Sequence, residues 1–470
     1  MKKVLSFVLV LVMLFTCVFS AAAASQWDAY WNDANELERA VIMQPGKDET
    51  QRNFSWYVYE KAECYVEIST DADMTDAKRV SAEVIDTKQG YFRAHATVTA
   101  LQAGVTYYYA CVTGEERSDV YSFTTLDGTD FSALYISDIH ITDDEENPEN
   151  IKTTAYAFAD LLTEATKRED INIILSAGDQ ATDGLKNEYE GLVFSPVARS
   201  LSFATSIGNH DRKGIDYKYF TNLPNEKTPF ITSPQGGDYY FVKGDVLFLF
   251  IDSNNTSNAV HRYVVRKAIK ENPDCKWRVL VMHHDLYGGT IESRESENEL
   301  LRLMYSSLCD RFDIDLVLTG HSHHYSVSDV LYNNKIVEEI ENGETVVNAD
   351  GTVYLVSASV MRGRDEEGIV YNDRIAYGMT NFNAKLYNII DFSTDAITVT
   401  TYEMGEDEAY ASFTLVKTDD YEAESFNFFR CVFDRLVDRI STLVAFFNNI
   451  GRYYDLSEDG YNVSIFDNMC

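Results

Sequence analysis

From Asn53 to Thr125 apolar and polar positions alternate in short runs. Asn53–Tyr59, Cys64–Ile68, Ala94–Val98, Tyr107–Val112 and Tyr121–Thr125 are rich in aromatic and β-branched residues, and polar or glycine-containing turns separate them. A period of two broken at this spacing predicts half-buried strands and a small all-β sandwich domain over residues 36–126. After the turn-rich hinge Leu126-Asp127-Gly128-Thr129-Asp130 the pattern changes. Apolar runs at Phe131–Ser137, Ile171–Ser176, Leu201–Ser206, Val246–Ile251, Trp277–Met282 and Leu316–Thr319 read as strands. Helical stretches fall at Thr153–Lys167, 257–271 and 295–311. Strands alternating with helices predict an α/β layered domain, taken as residues 131–416. Thr352–Val356, Lys385–Ile390 and Ala396–Thr400 are strand-like again and are expected to complete its second sheet. Within 424–452, Phe429, Val432, Leu436, Ile440, Leu443 and Phe447 recur at i, i+3, i+4. This spacing predicts an amphipathic helix whose apolar stripe packs on the chain's own body, the alternative being a partner-binding helix.

Composition narrows the picture. A chain of 470 residues, 45% hydrophobic and 24% charged, has the make-up of a folded protein larger than one ordinary domain. Its 31 Tyr and 26 Phe suit pleated, half-buried surfaces. The net charge of −35 is spread along the sequence and argues against a nucleic-acid duplex as partner. A phosphate substrate would meet the same repulsion unless cations reversed it locally. Lys2-Lys3, the apolar run Val4–Phe19 and Ala22-Ala23-Ala24 predict a signal peptide over residues 1–24. The chain is therefore expected to be secreted or at the cell surface, with no transmembrane anchor. Among the six cysteines left after cleavage, Cys64 with Cys111 and Cys275 with Cys309 are candidate disulfides; separate reduced thiols are the alternative.

The candidate chemistry lies in short clusters that hold seven of the nine histidines. They read Asp138-Ile139-His140, Gly178-Asp179, Gly208-Asn209-His210-Asp211, Met282-His283-His284 and Gly320-His321-Ser322-His323-His324. Each follows a predicted strand, the end at which open α/β sheets bind ligands. Carboxylate oxygens, an amide oxygen and imidazole nitrogens form a donor set for two borderline-hard divalent metals. In Asp138-Ile139-His140 two ligands stand at i, i+2, so an extended strand end can aim both at one point. Asp179, after a glycine, has two oxygens with which to bridge two ions. His284 and His324 sit beside better candidates and read as core or supporting residues. His95, in a strand pattern far from the rest, reads as structural. Arg212 and Lys213 either meet a second anionic group on a substrate or form a solvated loop.

These motifs resemble the pattern of the calcineurin-like metallophosphoesterases over residues 131–326: D-x-H, G-D, G-N-H-[DE], a histidine closing a strand, and G-H-x-H. The resemblance implies a β-sandwich flanked by helices. It implies two divalent ions (manganese, zinc or iron), one held by Asp138, His140, Asp179 and His323 and the other by Asp179, Asn209, His283 and His321. It also implies in-line attack by a bridging hydroxide, with His210 as the catalytic acid. Asp211 is expected to orient the His210 ring. The stretch Leu101–Tyr109, closed by Tyr121–Thr125, resembles the end of the fibronectin type III-like N-terminal domain of purple acid phosphatases. That group carries G-D-x-x-Y, whose tyrosine binds ferric iron. Here Gly178-Asp179-Gln180-Ala181-Thr182 places Thr182 at that position, and the resemblance to the broader family implies that His140 fills the vacancy. The expected activity is hydrolysis of small phosphomonoesters. Phosphodiester or nucleotide hydrolysis is the alternative, and an inactive scaffold serving surface binding or adhesion is the rival outside enzymes.

Overall fold

The computed structural model describes residues 27–458 except 33–36, 38–39, 144–149, 227–232, 290–294, 362–368, 370 and 419–427. For 295–297, 428–438 and 453–454 it describes the backbone only. The expected signal peptide lies outside the described residues. No described helix is long and apolar enough to cross a membrane.

The N-terminal strands form two antiparallel sheets. One runs in the order Ile42–Pro45, Arg52–Val58, Phe92–Val98, Glu83–Asp86. The other runs Lys78–Ser81, Cys64–Ser69, Thr106–Thr113, Glu116–Arg117, with Tyr121–Thr124 also paired to Thr106–Thr113. Inward residues from both sheets, including Phe54, Trp56, Val66, Tyr109 and Cys111, close one core. Buried Arg93 and half-buried His95 dock this sandwich on the following domain. Arg93 donates from Nη2 to the Phe220 carbonyl at 2.9 Å, and His95 Nε2 donates to the Tyr219 carbonyl at 3.0 Å. Burial pushes the His95 pKa down to about 4, which suits the neutral structural residue expected of it.

The second unit is a sandwich of two seven-stranded sheets. In the first, Ser202–Thr205, Ile171–Ser176 and Phe131–Ile136 are parallel. In the second, Val246–Phe250, Trp277–Val281, Leu316–Thr319 and Val353–Val356 are parallel. Alternate side chains divide between two cores, as expected of strands covered on both faces. Phe248, Val279, Val281, Leu316 and Leu318 face the other sheet, whereas Leu247, Leu249, Leu280 and Val317 face the helices Asn258–Glu271 and Glu295–Phe312. Phe248 joins the layers, its ring centroid 6.2 Å from Phe131 and 5.5 Å from Phe392.

Three expectations need correction. Of the late strands only Val353–Val356 enters the second sheet; Leu386–Phe392 pairs antiparallel with Phe131–Ile136, and Ala396–Glu403 follows it in the first. Neither disulfide forms, and the four described cysteines are free thiols. Cys64 and Cys111 do lie on adjacent strands, but register sets Cys64 opposite Thr113 and Cys111 opposite Val66. Cys309 is buried in the helix Glu295–Phe312, whereas Cys275 sits half-buried just before the strand Trp277–Val281. Finally, the C-terminal helix, Phe428–Glu458, turns its apolar stripe outward. Ile440, Leu443 and Phe447 are 58%, 59% and 63% exposed. Among its described side chains the buried ones are Ser441, Ala445, Asn449 and Leu456. Small residues let the backbone approach the helix Asn258–Glu271 closely, and Ser257 and Thr442 share a hydroxyl hydrogen bond at 2.9 Å. The side chains of Phe429, Val432 and Leu436 lie outside the described residues.

Candidate metal centre

The parallel strands of both sheets deliver their following loops to one edge of the sandwich. Asp138 leaves Phe131–Ile136, Asp179 leaves Ile171–Ser176, and Asn209 follows Ser202–Thr205. His283 leaves Trp277–Val281, and His321 and His323 follow Leu316–Thr319. The loops turn back on themselves sharply. Asp138, His140, Asp179, His321 and His323 all have φ between +51° and +68°, a region that costs a non-glycine residue of order 1 kcal/mol or more. Neighbouring strands hold them there: Asp138 N donates to Gly178 O at 3.0 Å, His140 N to Asp179 O at 2.9 Å, and Gly320 N to His283 O at 3.0 Å. The Asp138 carboxylate ties the two sheets together, its Oδ2 accepting from His321 N at 2.9 Å. Gly320 is required for this approach, since a Cβ there would stand 2.4 Å from that oxygen.

Seven of the predicted side chains converge in two overlapping sets. In one, Asp138 Oδ1 lies 3.2 Å from His323 Nε2, and His323 Nε2 lies 3.2 Å from His140 Nε2. In the other, Asn209 Oδ1 lies 3.0 Å from His283 Nε2 and 2.9 Å from His321 Nδ1. Asp179 Oδ2 stands between them, 3.3 Å from His283 Nε2 and 3.7 Å from His140 Nε2. The donor chemistry of these atoms fits a metal. His283 donates from Nδ1 to the Ala177 carbonyl at 2.9 Å, so its neutral tautomer presents a bare Nε2 to the bare Oδ1 of Asn209. Asp138 Oδ1 is buried and accepts no hydrogen bond. Lone pairs so opposed in a dry site require a shared cation or added protons. Electrostatics agree: burial would make His283 neutral, yet Asp179 and Asp138 outweigh it and hold its pKa up at about 10. At His140 burial wins over the same two carboxylates and pushes the pKa down to about 3.

His210 sits at the rim. Its backbone N donates to Asp179 Oδ1 at 2.8 Å, and one ring nitrogen lies within 4.8 Å of ligand atoms of His140 and Asp179. The expected partner of the ring is wrong. Nδ1 donates to the Thr182 carbonyl at 2.7 Å, while Asp211 is fully buried and turned away. Asp211 instead clips two loops together, accepting from Gly208 N at 2.9 Å, Ala181 N at 3.1 Å and Tyr189 Oη at 3.0 Å. Nothing in the sequence announced Thr182 for this task, because a backbone carbonyl has no residue signature. The Thr182 hydroxyl points elsewhere, to Thr142 Oγ1 at 2.8 Å. Among the described residues the two tyrosines nearby in sequence are engaged elsewhere: Tyr189 bonds Asp211, and Tyr135 donates to the Thr319 carbonyl. Burial raises both phenols well above the usual range. His284 supports the site from behind, its Nδ1 2.8 Å from Ser253 Oγ and its ring centroid 4.6 Å from that of His321. His324 packs on Phe382, away from the cluster.

With this geometry in hand, the family models decide the assignment. The one described as calcineurin-like phosphoesterase matches residues 131–325. Residues 131–325 are a calcineurin-like phosphoesterase domain. Residues 39–125 match the purple acid phosphatase N-terminal domain, so the phosphoesterase domain follows the sandwich that precedes it in purple acid phosphatases. Purple acid phosphatase 22 of Arabidopsis thaliana is 24% identical over 293 residues, covering 58% of this chain and 63% of that protein. Two solved structures share the fold. Purple acid phosphatase PPD1 from yellow lupin (Lupinus luteus) seeds superposes with a TM-score of 0.67 at 12% identity, over 83% of this chain and 77% of that one. PhoD superposes with a TM-score of 0.56 at 10% identity, over 88% and 99%.

Proposed function

We propose that the protein is an exported two-metal phosphoesterase that hydrolyses small phosphomonoesters. One observation carries the reading: seven metal-type donor side chains from both sheets converge in two overlapping sets that share Asp179. The domain match supports the reaction class. The leader-like sequence at Lys2–Ala24 supports export.

In this reading Asp138, His140 and His323 hold one ion, Asn209, His283 and His321 hold the other, and Asp179 serves both. When bound, the two ions supply an acidified water and positive charge facing the phosphoryl oxygens. The residues around them do the rest. The Ala177 carbonyl fixes the His283 tautomer, and the Thr182 carbonyl fixes that of His210. With Nδ1 so occupied, His210 can carry a second proton only on Nε2, and from there it donates to the departing ester oxygen. Asp211 acts as a positioning residue by holding the Gly208 and Ala181 amides, which sets Asn209 against Asp179.

The test is turnover of p-nitrophenyl phosphate and its diester by the metal-reconstituted protein. Chelation should abolish activity, and full activity of Asp179→Ala would refute the two-metal reading. Because no tyrosine among the described residues stands beside the seven donors, the active enzyme should be colourless with divalent manganese, zinc or ferrous iron. An intense visible band that vanishes on reduction would overturn the role given to His140.

A further inference from the structure

His261 lies outside the histidine clusters, on the helix Asn258–Glu271, and its ring is fully buried. Both ring nitrogens face acceptors. Nδ1 stands 2.7 Å from Asp238 Oδ2, and Nε2 stands 2.6 Å from the Asn255 carbonyl. A neutral imidazole has one N–H and one lone pair, so either tautomer would set that lone pair against an oxygen lone pair in a dry site. A doubly protonated ring satisfies both contacts. Burial works against a charged ring, but Asp238 and the Asn255 carbonyl outweigh it and hold the His261 pKa above its ordinary value. Asp252 adds to that field, Arg212 faces Asp252, and the Tyr305 hydroxyl lies 3.4 Å from Nε2.

This ion pair grips both ends of the loop 252–255. Asp238 Oδ1 accepts from the Asp252 amide at 2.9 Å, and His261 donates to the Asn255 carbonyl. From that loop two arms reach the metal centre. Asn254 Nδ2 donates to the Ile207 carbonyl at 3.0 Å, two residues ahead of Asn209. Ser253 Oγ accepts from the His284 amide at 3.1 Å and lies 2.8 Å from its Nδ1, which fixes the residue after His283. The arms thus join a loop of the first sheet to a loop of the second. We infer that His261 is a positioning residue of the metal centre: its imidazolium, paired with Asp238, fastens the loop 252–255, which holds Asn209 and His283 together as ligands of one ion. The inference rests on the two-metal phosphoesterase reading. Without the second ring proton, a buried carboxylate would lose its counter-charge or a carbonyl would face a lone pair, so the loop would have to move.

The test has a spectroscopic arm and a metal-binding arm. In the full chain with isotopically labelled histidines, nitrogen NMR at about pH 7.5, where an ordinary histidine is mostly neutral, should show both His261 nitrogens protonated. The signal is assigned by its loss in His261→Phe. A neutral His261 tautomer overturns the inference. Calorimetric titration of the metal-free protein with manganese should show two binding steps in the wild type. In His261→Phe one step should weaken about 10- to 100-fold, the usual effect of removing a group that supports a metal ligand, while the other stays unchanged. Asn254→Ala cuts one arm without touching the ion pair and should weaken the same step, so the test stands even if His261→Phe fails to fold. Equal weakening of both steps, or of neither, makes His261 a structural residue only and overturns the inference. Wild-type protein that binds no manganese would instead overturn the two-metal reading on which the inference rests.

Discussion

The closest backbone approach in the centre makes Gly208→Ala the most informative single change. A Cβ at Gly208 would stand 2.0 Å from Asp179 Oδ1 and 2.2 Å from the Asp179 backbone N. Normal contact begins near about 3.4 Å, so the two loops would have to part by more than about 1 Å. The backbone nitrogen excludes a side-chain rotation as the remedy. Nor can the Gly208 loop simply swing out, because Asp211 ties Gly208 N at 2.9 Å and Ala181 N at 3.1 Å to one carboxylate. Overpacking of this kind costs roughly 1–3 kcal/mol of stability. A displacement of about 1 Å at a reacting constellation costs on the order of 10²-fold in rate. The expected variant is folded, holds fewer metal ions and turns over p-nitrophenyl phosphate about 10²-fold more slowly. Metal content by elemental analysis, kcat/KM and thermal melting measure the three effects. The control is Gly451→Ala, whose Cβ meets nothing within 4 Å. If Gly208→Ala keeps full metal content and full activity, the apposition of Asn209 with Asp179 is not what assembles the centre.

Three further predictions follow from single contacts. His210→Ala should retain its metals and lose on the order of 10²–10⁴ in rate, most for poor leaving groups, whereas loss of metal would make His210 a ligand. Glu49 accepts from Arg52 at 2.6 Å and Lys243 at 2.8 Å; burial raises its pKa, but these cations and the Leu126 amide prevail and hold it down at about 2. A depressed carboxyl stabilises the fold fully above its unfolded value of 4.5 and loses that contribution as pH falls toward about 2. The gap corresponds to at most ~3 kcal/mol, and less for the pair, because burial also pushes Lys243 down to about 8. Glu49→Gln should therefore lower stability in denaturant titrations at pH 7, with the difference narrowing between pH 4.5 and 2; a difference independent of pH would refute the linkage. Gly451→Ala, in an open position of the C-terminal helix, should raise stability by about 0.5–1 kcal/mol, read as a higher melting temperature.

Much of this protein is legible in one dimension because local chemistry repeats there. The alternation in Asn53–Tyr59 and the apolar runs Ile171–Ser176 and Leu316–Thr319 mark strands that tertiary packing had no reason to change. The candidate ligand clusters are visible because each donor type sits next to the glycine or strand end that lets it turn. What lies between partners distant in sequence was not legible. Sheet membership of Leu386–Phe392 depends on which edge Phe131–Ile136 leaves open, and a strand carries no label for its neighbour. Cys64 and Cys111 lie on adjacent strands, but register sets whether thiols meet, and that is fixed by the whole ladder. At 440–447 the apolar stripe predicted the wrong buried face. Packing against Asn258–Glu271 uses the small side chains of Ser441 and Ala445 instead, where close backbone approach outweighs the larger apolar residues. The Thr182 carbonyl took the part expected of Asp211, because a backbone carbonyl partner is chosen by position alone. Arg452 reaches the His210 turn across 240 residues of sequence, a meeting that only the folded chain could bring about.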